Sequence, residues 1–191
     1  MLVTAFNGSP RKNGNTSRML SELFKPLQEA GIEARKIRIG GHKVRGCIAC
    51  GQCRAKNLGR CIFDDDPVNE WIDAMHVSDG IILASPTYFA TITTEMKALI
   101  DRGGFSAGNR LYRKVGAPVT VARRGGAIQT YNTLMAFFGI NQMVVPMSSY
   151  WNMGYGREAG EVENDAEALQ TMRNLGSNMA WLLQKLHHSN I

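Results

Sequence analysis

The run GIILAS at Gly80–Ser85 shows no alternation of apolar and polar side chains. A strand of this kind is covered on both faces, and strands covered on both faces belong to parallel sheets with helices above and below. Parallel strands require long crossovers, and stretches of helical periodicity flank this run on either side. Strands are expected at Leu2–Phe6, Ile32–Ile39, Gly80–Ser85, Ala117–Ala122 and Met143–Pro146. A first helix is expected from about Ser17 to Ala30, closed by Gly31 as its C-terminal cap. A second starts at Asp66–Pro67 and carries Val68, Trp71, Ile72 and Met75 on one face. Further helices carry Met96, Leu99 and Ile100, run through Phe138, and close the chain from about Asn164 to His187. This alternation specifies an α/β three-layer sandwich around a five-stranded parallel sheet. In such a sheet a ligand sits beyond the carboxyl ends of the strands, near the switch point.

The 191 residues suffice for one domain spanning 1–191, into which a cysteine-rich insertion enters at about 40–66. No apolar run approaches the roughly 18 residues a membrane span needs. The start, MLVTAFNGSP, has no basic segment ahead of its apolar stretch, so it is not read as a secretory signal. Both features point to a cytoplasmic protein without a membrane partner. The net charge of +6 favours acidic partners, such as phosphate-bearing cofactors or an acidic redox protein. Its basic residues are dispersed and form no nucleic-acid-binding motif, so no nucleic-acid partner is expected.

The loop GSPRKNGNTS, Gly8–Ser17, joins the first strand to the first helix. A helix N-terminus presents unpaired N–H groups and the positive end of its dipole, which suits a phosphate. Hydroxyls at Ser9, Thr16 and Ser17 add donors, and Arg11 adds charge. The pattern is neither GxGxxG nor GxxxxGK[ST], which argues against a Rossmann dinucleotide loop or a Walker loop. Taken alone, the loop also reads as a polar turn whose Asn, Thr or Ser caps the helix. GSPRKNGNTS resembles the phosphate loop of the iron–sulfur flavoprotein and NAD(P)H-dependent FMN reductase families, which share a flavodoxin-like fold of strand order 2-1-3-4-5. The resemblance implies FMN as cofactor, with its phosphate at Ser9, Arg11, Asn15, Thr16 and Ser17.

SPTYFATIT follows the third strand and places Pro86, Thr87, Tyr88 and Phe89 at its carboxyl end. An aromatic there can pack on a flat ligand while backbone amides bond its polar edge; an ordinary turn with aromatics in the core is the other reading. The segment resembles the same family's SP-x-YF motif, which holds the flavin ring, and MKALIDR at Met96–Arg102 resembles the family's next helix. ARRGGA follows the fourth strand, and Gly125 and Gly126 permit close backbone approach. Arg123 or Arg124 at the pyrimidine edge would stabilise negative charge on a reduced flavin and raise its potential. Two solvated arginines in a turn are the alternative.

All four cysteines fall within Cys47-x2-Cys50-x2-Cys53-x7-Cys61. In a cytoplasmic chain such clustering points to a metal or redox site before disulfides. The spacing resembles the compact motif that holds a [4Fe-4S] cluster in iron–sulfur flavoproteins, and Asp64–Asp66 fits the same family. A ferredoxin run has a shorter last gap and a proline after its fourth cysteine, whereas Ile62 follows Cys61. Lys43, Arg45, Arg54, Lys56 and Arg60 surround the segment and would stabilise an anionic cluster or attract an acidic donor; a solvated loop also accounts for them. Three readings of the cysteines stay open: a cluster, cysteines without a metal in a reductase relative, or structural zinc.

HExxH does not occur and the four histidines form no evident triad, so hydrolase chemistry is not expected. The resemblance implies an FMN-dependent oxidoreductase in which the flavin does the chemistry, with no catalytic side chain required. It would relay electrons between a redox donor and a small acceptor, the donor being NAD(P)H or a ferredoxin-like protein. A clusterless FMN/quinone reductase and a zinc-stapled FMN-binding module are the alternatives. Met147–Glu163, with Tyr150, Trp151 and Tyr155, reads as a lid or contact surface beside the flavin in a homodimer or larger assembly.

Overall fold

Gly80–Ser85 is buried on both faces. Ile82 and Ala84 enter one apolar layer while Ile81 and Leu83 enter the other, as the period of two along a strand requires. The computed structural model describes residues 1–188. Its strands are β1 (Leu2–Asn7), β2 (Glu33–Arg38), β3 (Gly80–Pro86), β4 (Val115–Ala122) and β5 (Met153–Tyr155). Its helices are α1 (Asn15–Glu29), α2 (Gln52–Ala55), α3 (Val68–Val77), α4 (Thr94–Ser106), α5 (Ala127–Ile140) and α6 (Ala166–His188), with a 3-10 turn at Glu161–Asn164. The strands pair in parallel in the order β2-β1-β3-β4-β5, the expected flavodoxin-like order.

Leu20, Leu23 and Leu27 of α1 pack with Met172, Leu175 and Met179 of α6 on one face of the sheet. Ile72 of α3, Met96 and Leu99 of α4, and Leu134 and Phe138 of α5 cover the other. Gly31, at φ +73, ends α1: its amide reaches Gln28 O and the Ile32 amide reaches Leu27 O. This is the capping expected of a glycine just past a helix. Among the described residues no helix is long and apolar enough to cross a membrane.

The fifth strand departs from expectation. Met143–Pro146 contributes only a single bridge, Val144 to Val115, and the strand proper is Met153–Tyr155, inside the segment expected to be a lid. The reason lies in β4. Gly116 donates to Val144 O and Thr120 to Asn152 O. Alternate amides of a strand point the same way, so residue 118 should donate between them. It is Pro118, which has no N–H. The neighbouring chain therefore leaves the sheet after Val144 and rejoins it at the next available donor.

Candidate functional site

The rim at the carboxyl ends of β1, β3 and β4 encloses a cavity of about 220 Å3. Its floor is the turn into α1. Gly14 is the N-cap, no side chain caps the helix, and the first turn holds no acidic residue. The leading amides of a helix have no acceptor within it, so this end is open to an anion. Ser9, Arg11, Gly14, Asn15 and Thr16 line the cavity from this side. Pro86, Thr87 and Tyr88 line it from β3, and Val121, Ala122 and Arg123 from β4. Arg11, Arg123 and Arg157 give it a positive lining without a carboxylate.

Gly156 and Arg157 complete the wall; they lie in Met147–Glu163, the segment expected beside the flavin, but were not singled out as site residues. They arrive through long-range pinning. Asn15 Nδ2 donates to Glu158 O at 2.9 Å, and its Oδ1 accepts from Gly160 N at 2.8 Å. Arg11 Nη1 donates to Arg157 O at 2.8 Å. The Glu161 carboxylate accepts the amides of Arg157 and Glu158 at 2.6 and 3.0 Å, which hold its pKa below the usual range. Two residues expected to meet the phosphate thus spend part of their hydrogen-bonding capacity on the segment after β5.

Other expected residues lie outside the cavity. Ser17 is buried away from it, its Oγ taking a 2.5 Å hydrogen bond from Lys36 Nζ. Arg124 and Gly125 are exposed and do not line it. Gly126, at φ +87, caps α5; a Cβ there would stand 3.0 Å from Ala90 Cα, so this glycine joins two loops. Phe89 projects fully into solvent. The Tyr88 and Thr91 amides and carbonyls exchange hydrogen bonds across Phe89 and Ala90, whose φ values are +48 and +60. A two-residue turn with both φ values positive normally takes Asn-Gly. The loop therefore carries strain, as ligand-clamping loops do.

The cysteines meet at the far end of α4. Thr93, just before the helix, sits at the rim, where its amide donates to Ser85 Oγ. Arg102 lies eight residues beyond Thr94, about 12 Å along the helix axis at 1.5 Å per residue. There Cys47, Cys50, Cys53 and Cys61 line one cavity of about 210 Å3 with Phe63, Arg102 and Phe105. All four are free. Among the described residues no three His, Cys, Asp or Glu side chains gather closely enough to hold a metal ion. The four cysteines line the cavity without their thiols converging on a point.

Asn69 clamps the Cys61 turn: its Oδ1 accepts the Cys61 amide at 2.8 Å, and its Nδ2 donates to Cys61 O and Phe63 O, both at 3.0 Å. Asp66 ties the segment to the fold. Its carboxylate accepts from Arg102 Nη1 at 2.6 Å, from Arg45 N at 2.9 Å and from Val68 N at 3.1 Å. Burial alone would raise the Asp66 pKa, but the Arg102 bond and the two amides outweigh it and hold it below the usual range. A larger cavity of about 790 Å3 lies beside Cys53, between Phe105, Phe137 and Ile140 of α4 and α5.

A family model described as NADPH-dependent FMN reductase matches residues 1–158. An iron–sulfur flavoprotein of Methanocaldococcus jannaschii is 37% identical over 188 residues, covering 94% of this chain and 96% of that protein. One from Archaeoglobus fulgidus is 35% identical over 191 residues, covering 94% of this chain and 79% of that one. The chain belongs to the NADPH-dependent FMN reductase family. Within that family its similarity runs to the iron–sulfur flavoproteins, and it is an FMN-dependent oxidoreductase. The structure of RosB with bound 8-demethyl-8-formylriboflavin-5'-phosphate superposes with a TM-score of 0.76 at 16% identity, covering 100% of this chain and 82% of that one. A WrbA-like flavodoxin of Agrobacterium tumefaciens superposes at 0.62 and 18% identity, covering 96% and 97%. At those identities the likeness speaks for the flavodoxin-like fold.

The rim cavity of this FMN reductase relative fits the cofactor: an uncapped, acid-free helix start and three arginines suit a phosphate dianion. The cysteine cavity carries the donor set of a thiolate-bound group, four cysteines and a buried arginine whose Nε has no hydrogen-bond partner among the described residues, although the four thiols are not drawn together on one point. The strained loop yields a prediction. Ala90→Gly relieves about 1–2 kcal/mol of left-handed strain against about 0.4–1 kcal/mol of added chain entropy in the unfolded state. The apoprotein should melt at a higher temperature; an unchanged or lower midpoint would show that the turn is relaxed.

Proposed function

We propose that this chain is an iron–sulfur flavoprotein in the working sense, relaying electrons between a redox donor and a small acceptor through FMN and a [4Fe-4S] cluster. The carrying observation is that Cys47, Cys50, Cys53 and Cys61 line a single cavity. Four cysteines lining one cavity supply the thiolate set that a [4Fe-4S] cluster uses, and the similarity to iron–sulfur flavoproteins favours the cluster over a structural zinc ion. When bound, FMN exchanges electrons singly or in pairs and a cluster exchanges them singly.

The chain's own residues bind and orient. Ser9 and Thr16, with the first-turn amides of α1, face the phosphate, and Arg11 and Arg123 neutralise its charge. Tyr88 and the backbone of Pro86–Tyr88 flank the ring. Asn69 and Asp66 hold the cysteine segment in shape before any group is bound. Lys43, Arg54 and Lys56 suit the approach of an acidic, ferredoxin-like donor. Met147, Tyr150 and Trp151 are each more than half exposed near the rim strand β5, which supports a homodimer or larger assembly burying them; a monomer at micromolar concentration would contradict that.

Protein purified without oxygen is expected to carry iron and acid-labile sulfide in equal amounts, about four of each per chain by the cluster's composition. One equivalent of zinc with no sulfide would remove the cluster. The clusterless reading predicts fast oxidation of NAD(P)H under the same conditions. The relay reading predicts slow oxidation of NAD(P)H and fast reduction by reduced ferredoxin.

A further inference from the structure

Arg102 is among the largest fully buried side chains, with its guanidinium beneath the cysteine segment. A buried charge of this kind is stable only when paired and hydrogen-bonded. Most of the group is: Nη1 donates to Asp66 Oδ2 at 2.6 Å and Arg45 O at 3.3 Å, and Nη2 donates to Phe63 O at 2.9 Å. The exception is Nε, which is buried and makes no hydrogen bond to any described residue, although the Cys61 side chain stands close by. Native structures rarely leave a buried donor unused, and an orphan at a site usually marks a group that completes it. Arg102 lines the cavity that the four cysteines share. Cys61 lies near enough that a thiolate there favours the guanidinium's charge. Three acceptors fix the guanidinium plane, so its remaining edge cannot turn elsewhere.

We propose that Arg102 is a positioning and tuning residue for the group held by the four cysteines, its Nε–H donating to a sulfur of Cys61 or of the cluster. The inference rests on the cluster reading above. A hydrogen bond and a fixed positive charge at sulfur stabilise the more negative, reduced state, and so raise the reduction potential. Asp66 holds the donor in its orientation, and Arg45 O and Phe63 O complete its cradle. The residue would act on the electron's energy and take no part in any proton or hydride transfer. No donor or acceptor beyond those of the relay is required.

The test is a redox titration of anaerobically purified holoprotein, following the cluster by electron paramagnetic resonance. Two variants are compared with the wild type. Arg102→Lys keeps the charge but, lacking a guanidinium, has no Nε–H to donate. The double variant Asp66→Asn with Arg102→Met removes both charges, so neither is left buried alone. The expected result is at least a tenfold loss in relative stability of the reduced cluster, equivalent to a potential lower by 59 mV for one electron, with FMN content unchanged. Faster iron release to a chelator from either variant, beyond what its loss of apoprotein stability accounts for, also supports the role. Potentials and release rates equal to wild type would overturn it and leave Arg102 as a clamp for Asp66. Iron loss matched by an equal loss of apoprotein stability would overturn it in the same way. Wild-type protein without iron and sulfide would instead defeat the cluster reading itself, and the two failures are thereby separate.

Discussion

Asp66→Asn is expected to lower the unfolding free energy of the apoprotein by about 3–5 kcal/mol, the usual result of removing one partner of a buried ion pair. The pair is closely sheltered, with Arg102 0% and Asp66 6% exposed in their side chains, and the carboxylate also receives two backbone amides. An amide in its place keeps some hydrogen bonds but leaves the guanidinium charge without a counter-ion. Total stabilities of domains this size are about 5–15 kcal/mol, so the loss is a large share. Chemical denaturation at neutral pH measures it; a change below about 1 kcal/mol would show that the pair contributes little net stability.

The same pair sets a pH dependence. The folded Asp66 pKa lies below its unfolded value, so its contribution is complete above the ordinary carboxylate range near pH 4. It is lost as pH falls from there through the folded pKa, because only the unfolded state then takes up the proton readily. The wild type should therefore lose stability in acid more steeply than Asp66→Asn.

Gly40→Ala is expected to weaken FMN binding at least tenfold, about 1.4 kcal/mol, and to cost roughly 1–3 kcal/mol of stability through overpacking. Gly40 follows β2 and donates its amide to Asn7 O at 3.2 Å. A Cβ at this position would stand 2.3 Å from both Gly8 O and Ser9 C, which are backbone atoms of the phosphate loop. Backbone cannot swing aside as a side-chain tip can, so the loop itself must move, and with it Ser9 and the approach to α1. Gly139→Ala is the control. Its Cβ would meet nothing within 4 Å, and its φ is not positive, so FMN affinity should be unchanged. Equal affinities for Gly40→Ala and wild type would show that the loop's position does not govern binding.

How much of this was legible in the chain depended on the range of the forces involved. β3 was plain because Ile81–Ala84 must be covered on both faces, a property local to the run. The start of α1 was plain for the same reason, and Ser9, Arg11, Asn15 and Thr16 do line the rim. Ser17 lies outside the cavity because a helix turns about 100° per residue, which carries its hydroxyl towards Lys36. β5 was misplaced because Val144 and Val145 look like strand, whereas the deciding residue, Pro118, sits on a neighbouring strand. Arg157 was expected near the flavin only as part of Met147–Glu163 and was not singled out, because 146 residues separate it from Arg11, its partner. Arg102 and Asp66, 36 residues apart, were read only as parts of motifs; nothing in their spacing announces a shared buried pair.

We propose that the rim of β1, β3 and β4 grips a flavin chiefly by its phosphate. Titrating apoprotein with FMN and with riboflavin, following flavin fluorescence, tests it most directly. Saturable binding of one FMN per chain is expected, with riboflavin bound at least a hundredfold more weakly, about 2.7 kcal/mol. Arg11→Ala should narrow that difference. Equal affinity for the two flavins, or no binding of either, would contradict the account.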